Sequence, residues 1–247
     1  MSYKIYGHRG SRTRLPENTM PSFKLALEEG ADGLEIDIRT TKDGEVVICH
    51  DAHLKRVGGA DFTVSEHTWE ELSKMSVHCP EVFGDKYKDQ IFVPRLEELL
   101  EYLTTNDAFL NIEIKQQTDR EYGYIEKKAL ELVEKYGLKD RIFYSSFDHY
   151  ILAKLKELDP TVKTAILYSS SVIYRAAAYA KELGCFAIHP NMDGALQYNE
   201  LQQALDLGLD CNVWTINNTE DAKKLVELGA TGIITDIPLE TVKALRG

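Results

Sequence analysis

GLEIDIR, residues 33–39, alternates without a break. Leu34, Ile36 and Ile38 point to one face of an extended strand; Glu35, Asp37 and Arg39 point to the other. FLNIEIK, residues 109–115, repeats the pattern, with Ile112 and Ile114 on the apolar side and Asn111, Glu113 and Lys115 on the polar side. Outward from these two segments, short β-rich runs alternate with helical stretches almost from end to end. YKIYG (3–7) leads to a helix over about 16–29, closed by Gly30. TKDGEVVI (41–48) reads as a turn at Asp43-Gly44 that enters a short strand. A helix over about 121–136 follows the second alternating strand. RIFYSSF (141–147), KTAILY (163–168), CFAIHP (185–190), LDCNVWTI (209–216) and TGIITD (231–236) are followed by helices over about 148–158, 172–183, 199–207, 219–228 and 238–246.

The major strands number eight, near residues 5, 36, 112, 143, 165, 187, 212 and 233. Eight β–α units in 247 residues is the size and count of an α/β (β/α)8 TIM barrel, here one domain over 1–247. A doubly wound sheet competes poorly: it seldom has eight units, and no Gly-rich nucleotide fingerprint follows the first strand. Residues 51 to about 93 break the rhythm. They hold Gly58-Gly59, a helix candidate at SEHTWEELSKM (65–75) and a Gly/Lys/Asp-rich stretch, and read as an insertion after the second strand region. Long connections of this kind tend to be lids or binding caps, so the insertion is expected to roof the pocket. It is equally a candidate subunit contact, which makes a homodimer one expectation.

Composition bounds the function. Lys plus Arg total 29 against 40 Asp plus Glu, a net charge of −11 that repels nucleic-acid phosphates. No apolar run approaches the ~20 residues of a membrane span, and MSYKIYGHRG lacks the apolar core of a signal peptide. Four scattered cysteines, Cys49, Cys79, Cys185 and Cys211, form no CxxC pair. They read as buried, reduced thiols of a cytoplasmic protein rather than a zinc site.

In a barrel the outward face of each strand packs on helices and must be apolar, so the charged sets point inward. Glu35, Asp37 and Glu113 then repel one another in a poorly hydrated interior unless positive charge compensates. A bound cation does so most simply, and an all-oxygen site favours Mg²⁺ or Ca²⁺ over zinc. A metal-free ion-pair network with Arg39 and Lys115 is the other reading of the same pattern. His8 follows YKIYG and His50 follows EVVIC, both at C-terminal strand ends, where the active sites of such barrels collect. Arg9 sits beside His8. His189, Phe147 and Tyr168 also end strands and are candidate pocket linings, while His53, His67, His78 and His149 are expected at the surface or in the insertion.

His8-Arg9-Gly10, Pro16-Glu17-Asn18-Thr19, Glu35-x-Asp37, His50-Asp51, Glu113-x-Lys115, Trp214-Thr215 and Thr235-Asp236-x-Pro238 stand in this order. Each motif is weak alone, but the ordered set spans the chain and resembles the glycerophosphodiester phosphodiesterase family of the bacterial cytoplasmic type, which also carries an insertion after its second histidine. The resemblance implies a (β/α)8 barrel that hydrolyses small-molecule glycerophosphodiesters to an alcohol and sn-glycerol 3-phosphate with one divalent cation, Mg²⁺ or Ca²⁺. It implies Glu35, Asp37 and Glu113 as metal ligands, His8 and His50 as the acid–base pair, and Arg9 and Lys115 as phosphate contacts.

The chemistry asks for the same residue types. A phosphodiester anion needs its charge offset as the transition state forms, and an arginine fork matches phosphate oxygens. Histidine, with an unperturbed pKa of about 6.5, gives or takes a proton near neutrality. Glu17 is expected to bind glycerol or hold Arg9, or simply to favour a helix N-terminus. Trp214 is expected to wall the glycerol carbons, and Asp236 to cap the last helix. A lysophospholipid-cleaving barrel is the rival substrate class, which the few apolar residues of the insertion disfavour. A non-catalytic barrel that binds a phosphorylated ligand is the other rival, and the full set of acids and histidines argues against it.

Overall fold

A computed structural model describes residues 3–117, 121–169 and 173–247. Its nine strands are β1 (Lys4–His8), β2 (Gly33–Thr40), β3 (Val46–Ile48), β4 (Phe109–Ile114), β5 (Ile142–Ser146), β6 (Thr164–Tyr168), β7 (Ala187–Pro190), β8 (Asp210–Val213) and β9 (Gly232–Thr235). The sheet runs β1-β9-β8-β7-β6-β5-β4-β2-β3, and a further β1–β2 pairing closes it into a cylinder. Within the cylinder every pairing is parallel; β3 alone lies outside, antiparallel on β2. A (β/α)8 barrel is therefore the fold.

The two alternating strands lie side by side, with Asp37 opposite Glu113 and Glu35 opposite Asn111. Their apolar sets are sealed: Leu34, Ile36, Ile38, Ile112 and Ile114 have no solvent exposure and pack in the main core under the helices. Leu96–Leu103 covers the outside after β3; its Leu96, Leu99, Leu100 and Leu103 are buried. This helix belongs to no unit recognised in the sequence, because the insertion separates it from its strand. The first helix begins at Met20 rather than near 16, since Thr19 accepts a hydrogen bond from Ser22 N as its N-cap. Position 172, the expected start of the helix after β6, lies outside the described residues; the helix observed there is Ala176–Glu182.

The insertion builds a core of its own. Leu54, Val57, Val64, Leu72 and Val77 cluster there, joined to β3 through Val47. Its expected 65–75 helix shrinks to Trp69–Leu72, started by a capping box between Thr68 and Glu71. No helix among the described residues is long and apolar enough to cross a membrane. All four cysteines are free and buried.

The turn after β1 is fixed by close approach. Gly10 has φ +87°, and a Cβ added there would lie 2.7 Å from the backbone carbon of Ser22. Substitution Gly10→Ala combines left-handed strain with that clash. It is expected to cost about 2 kcal/mol or more, read as a loss of at least ~4 °C in Tm by calorimetry.

Candidate active site

The alternation delivers Glu35, Asp37 and Glu113 to one place: one oxygen from each lies within 4.8 Å of the others, and all three residues are buried. Lys115 pairs with Glu113 and stands 2.9 Å from Asp37 Oδ1. Arg9 Nε is 3.2 Å from Asp37 Oδ2, which also accepts from Asn18 Nδ2 at 2.8 Å. Arg9 is held there by a left-handed backbone (φ 59°), with its N–H donating to Glu35 O and its carbonyl accepting from Asn18 N.

The electrostatics of the cluster are uneven. Burial first, and then Asp37 and Glu113, raise the Glu35 carboxyl well above the usual range. Burial and Asp37 push Glu113 up to about 7. Burial also works against an ionised Asp37, but Lys115 and Arg9 outweigh it and hold that carboxyl far below the usual range. Three acids thus face two fixed cations. Glu35 Oε2 is buried with no hydrogen-bond partner among the described residues, and Asp37 Oδ1 has only the Lys115 ammonium, at 2.9 Å. Converging hard oxygens with excess negative charge and unsatisfied lone pairs fit a divalent cation, Mg²⁺ or Ca²⁺.

The histidines flank this cluster. His8 and His50 both line a cavity of ≈280 Å³ together with Arg9, Glu35, Glu113 and Lys115. His8 Nδ1 lies 2.6 Å from Asp236 Oδ1, and His50 Nδ1 lies 2.7 Å from Asp51 Oδ1. An ionised carboxylate only accepts, so each ring is assigned its proton on Nδ1 and keeps a free Nε2. For His8 that nitrogen points to the cluster, 3.8 Å from Glu35 Oε2. Burial lowers the His8 pKa, against the opposing pull of Asp236. The His50 hydrogen bond, with help from Arg56 and against burial, holds Asp51 well below the usual carboxylate range.

Behind the cavity the supporting charges form a continuous belt. Asp236 Oδ1 is 3.6 Å from Arg12 Nη1, and Arg12 Nη2 is 3.0 Å from Glu17 Oε2. Glu17 accepts both terminal nitrogens of Arg56, at 2.7 and 3.0 Å, and Arg56 Nε donates to Asp51 at 2.7 Å. The belt therefore runs from one histidine to the other through Glu17, which also accepts from Arg9 Nη1 at 2.8 Å. Glu17 is not among the residues walling the cavity. Burial works to raise its carboxyl, and Arg56, Arg9 and Arg12 overcome it to bring the pKa to about 2.

The remaining expectations divide. Trp214 and Phe147 wall the cavity and meet edge to face at 5.5 Å, with Trp214 Nε1 donating to His189 O. His189 itself is fully buried and bonds Asn212; burial keeps it neutral, with a pKa near 3, so it is a core residue and not a pocket lining. Tyr168 is likewise buried and absent from this cavity. Asp236 does not cap the last helix, whose N-cap position is Ile237 with no side-chain bond; its carboxylate is taken by His8, Arg12 and Asn217. Among the described residues, none of the insertion (51 to about 93) walls the cavity, so the expected roof is not seen there. Asn111, missed as a site residue although read as inward, lines the cavity with a buried Nδ2 that has no partner, while its Oδ1 accepts from Ser145. A larger groove of ≈930 Å³ lies against Tyr144 and Val162, but no histidine lines it, so size does not mark the site.

Taken together, these features define a class: a parallel barrel whose strand ends present an acidic, cation-fitting cluster between two carboxylate-backed imidazoles. Residues 8–240 match the glycerophosphoryl diester phosphodiesterase family, and the chain belongs to that family. It is 36% identical over 248 residues to a glycerophosphodiester phosphodiesterase of Bacillus altitudinis, covering 97% of each chain. It is 32% identical over 252 residues to one from Caldanaerobacter subterraneus subsp. tengcongensis, covering 100% of this chain and 99% of the other. Among solved structures, an Oleispira antarctica phosphodiesterase in complex with the product sn-glycerol-3-phosphate superimposes with a TM-score of 0.90 at 25% identity, covering 99% and 97% of the two chains.

The Glu17 hub yields a pH test. Its folded pKa lies below the ordinary value of 4.5, so ionised Glu17 stabilises the fold above that value, and this contribution fades as pH falls toward 2. Glu17→Gln is expected to lose about 3 kcal/mol at pH 7 in urea unfolding. At pH 3 the gap between the two proteins should fall by more than half; a gap independent of pH would show that the ionised carboxylate is not what the arginines hold.

Proposed function

We propose that this protein hydrolyses glycerophosphodiesters to an alcohol and sn-glycerol 3-phosphate. The observation that carries the reading is the convergence of both imidazoles and the carboxylate cluster on one small polar cavity. Family membership and the product bound by the Oleispira antarctica phosphodiesterase support it.

Glu35, Asp37 and Glu113 would hold one divalent cation, Mg²⁺ or Ca²⁺. Bound there, it supplies positive charge to a phosphate oxygen and to a nearby hydroxyl. Arg9 and Lys115 add fixed positive charge on the same side, with Lys115 kept protonated by Asp37 and Glu113 despite its burial. Burial keeps the His8 ring neutral and Asp236 holds its Nδ1 proton, so its Nε2 is set to accept a proton. His8 takes that proton from the glycerol 2-hydroxyl as the oxygen attacks phosphorus. His50, entering the step as an imidazolium with its Nδ1 proton held by Asp51, gives its Nε2 proton to the departing alcohol oxygen as its P–O bond breaks. Water then opens the cyclic phosphate with the two histidines exchanging roles. Trp214 and Phe147 offer apolar walls to the glycerol carbons.

Glycerol 3-phosphate release from glycerophosphocholine is expected to cease with EDTA and to return with Mg²⁺ or Ca²⁺. His8→Ala and His50→Ala are each expected to lower kcat by about 10²–10⁴-fold. The His50 loss should shrink on a p-nitrophenyl ester, whose leaving group needs no proton; full His50→Ala activity on a poor leaving group removes the acid role. Reaction in ¹⁸O-water, stopped early, should reveal the cyclic phosphate. If no glycerophosphodiester is cleaved with either metal present, the reading is wrong.

A further inference from the structure

Phe147, Glu113 and Lys115 belong to two concavities at once. They wall the small cavity, and they also edge a groove of ≈790 Å³ that opens from it to solvent. A phosphodiester has two ester branches. One branch fills a cavity of ≈280 Å³, and the other must leave it, most directly past these three shared residues. A second exterior groove, lined by Lys55 and Arg56, meets the small cavity only at His50.

Four large aromatic rings are among the residues lining the groove. Tyr122 and Tyr150 face each other at 5.9 Å between centroids with a 44° tilt, and Phe147 and Tyr179 also line the groove. Phe147, Tyr122 and Tyr150 are 49%, 49% and 76% exposed, unusual for three large rings in one place. Asp148 stands between them. Its Oδ2 accepts from the Tyr122 hydroxyl at 2.7 Å, and its Oδ1 accepts from Tyr150 N at 3.1 Å. Among the described residues of the groove, Lys115 is paired with Asp37 and Glu113, and Arg39, at the end away from Tyr150, is turned to the carbonyls of His50 and Gln116. The Tyr122–Tyr150 side therefore offers aromatic surface and one carboxylate that is hydrogen-bonded but has no ion pair with a described cation. Ring faces and a carboxylate attract an ammonium ion, and a quaternary ammonium above all, because it carries charge on a surface too apolar to prefer water strongly. A net charge of −11 favours the same sign.

We propose that this groove is the subsite for the leaving alcohol and selects a cationic one, an aminoalcohol bearing a quaternary or primary ammonium, through Tyr122, Tyr150 and Asp148. The assignment rests on the hydrolytic reading above and adds the substrate class that the phosphate site alone does not distinguish.

The test compares kcat/KM for glycerophosphocholine, glycerophosphoethanolamine and the neutral glycerophosphoglycerol. The wild type is expected to favour the choline ester over the neutral ester by at least ~5-fold. Y122A/Y150A should lower the choline value about tenfold and leave the neutral ester within twofold. Tyr150→Phe, which keeps the ring, should hold wild-type selectivity. Asp148→Asn, which preserves the helix cap, should weaken the preference for both ammonium esters. Tetramethylammonium, which has the cation without the phosphate, should compete with glycerophosphocholine in the wild type and lose potency in the double variant. Equal losses on all three esters, or no loss on any, overturn the subsite while leaving the hydrolytic function intact. Absence of cleavage of every ester by the wild type overturns both together.

Discussion

Three carboxylates inside a closed parallel cylinder create the demand that the rest of the site answers. Glu35 and Asp37 project from one strand and Glu113 from its neighbour, with Asp37 directly opposite Glu113. At such separations, away from bulk water, like charges cost several kcal/mol unless they are protonated or matched. The chain matches them only in part. Lys115 and Arg9 settle Asp37, while Glu35 and Glu113 remain reluctant acids. Three ionised carboxylates against two fixed cations leave the site one positive charge short, and a divalent ion would supply it. Filling the cluster with more lysine or arginine would neutralise it and block that uptake.

The same shortage explains the belt around the cavity. On the proposed reading, a metal site paired with acid–base groups needs imidazoles that neither wander nor lose their tautomer. Asp236 and Asp51 provide this from opposite sides. Each carboxylate must in turn stay ionised, and Arg12 and Arg56 contribute to that while sharing Glu17 as a common anchor. Glu17, acidic and close to the site, is engaged by three arginines, Arg9, Arg12 and Arg56. Burial alone would make it a poor anion; three guanidinium groups make it a firm one. Paired this way, buried charges mainly fix geometry, and removing one partner is far costlier than the net worth of the pair.

The alternation of β2 and β4 was legible because side-chain direction in a strand has a period of two, and burial of Leu34, Ile36, Ile38, Ile112 and Ile114 leaves the polar set one place to go. The chemistry-bearing acids and histidines were legible for the same reason, lying on those strands or directly after strand ends. Partnerships across the chain were not. His8 and Asp236 are 228 residues apart, and Glu17 and Arg56 are 39 apart, so no local pattern couples them. Asp236 looked like a helix cap because an aspartate before Pro238 usually is one; closure of the barrel, which sets β9 beside β1, gives it to His8 instead. His189 looked like a lining residue because it ends a strand, but its ring bonds Asn212 within the barrel interior.

The insertion shows how position and role separate. Its few apolar residues argued for a polar roof, yet they are enough to build a small core beside β3, anchored through Val47 and Cys49. Packed there, the segment supplies no wall of the small cavity and reaches the site through Asp51, which holds His50, and Arg56, which touches both Asp51 and Glu17. A lid would have enclosed the second ester branch and forced the pocket to specify it closely. An open mouth leaves recognition of that branch to surfaces the barrel already presents, and the surface next to the phosphate site is the one carrying Tyr122, Phe147 and Tyr150. The insertion's contribution is then rigidity: it holds one end of the charge belt on a separate hydrophobic base, so that His50 keeps its place at the edge of an otherwise solvent-facing cavity.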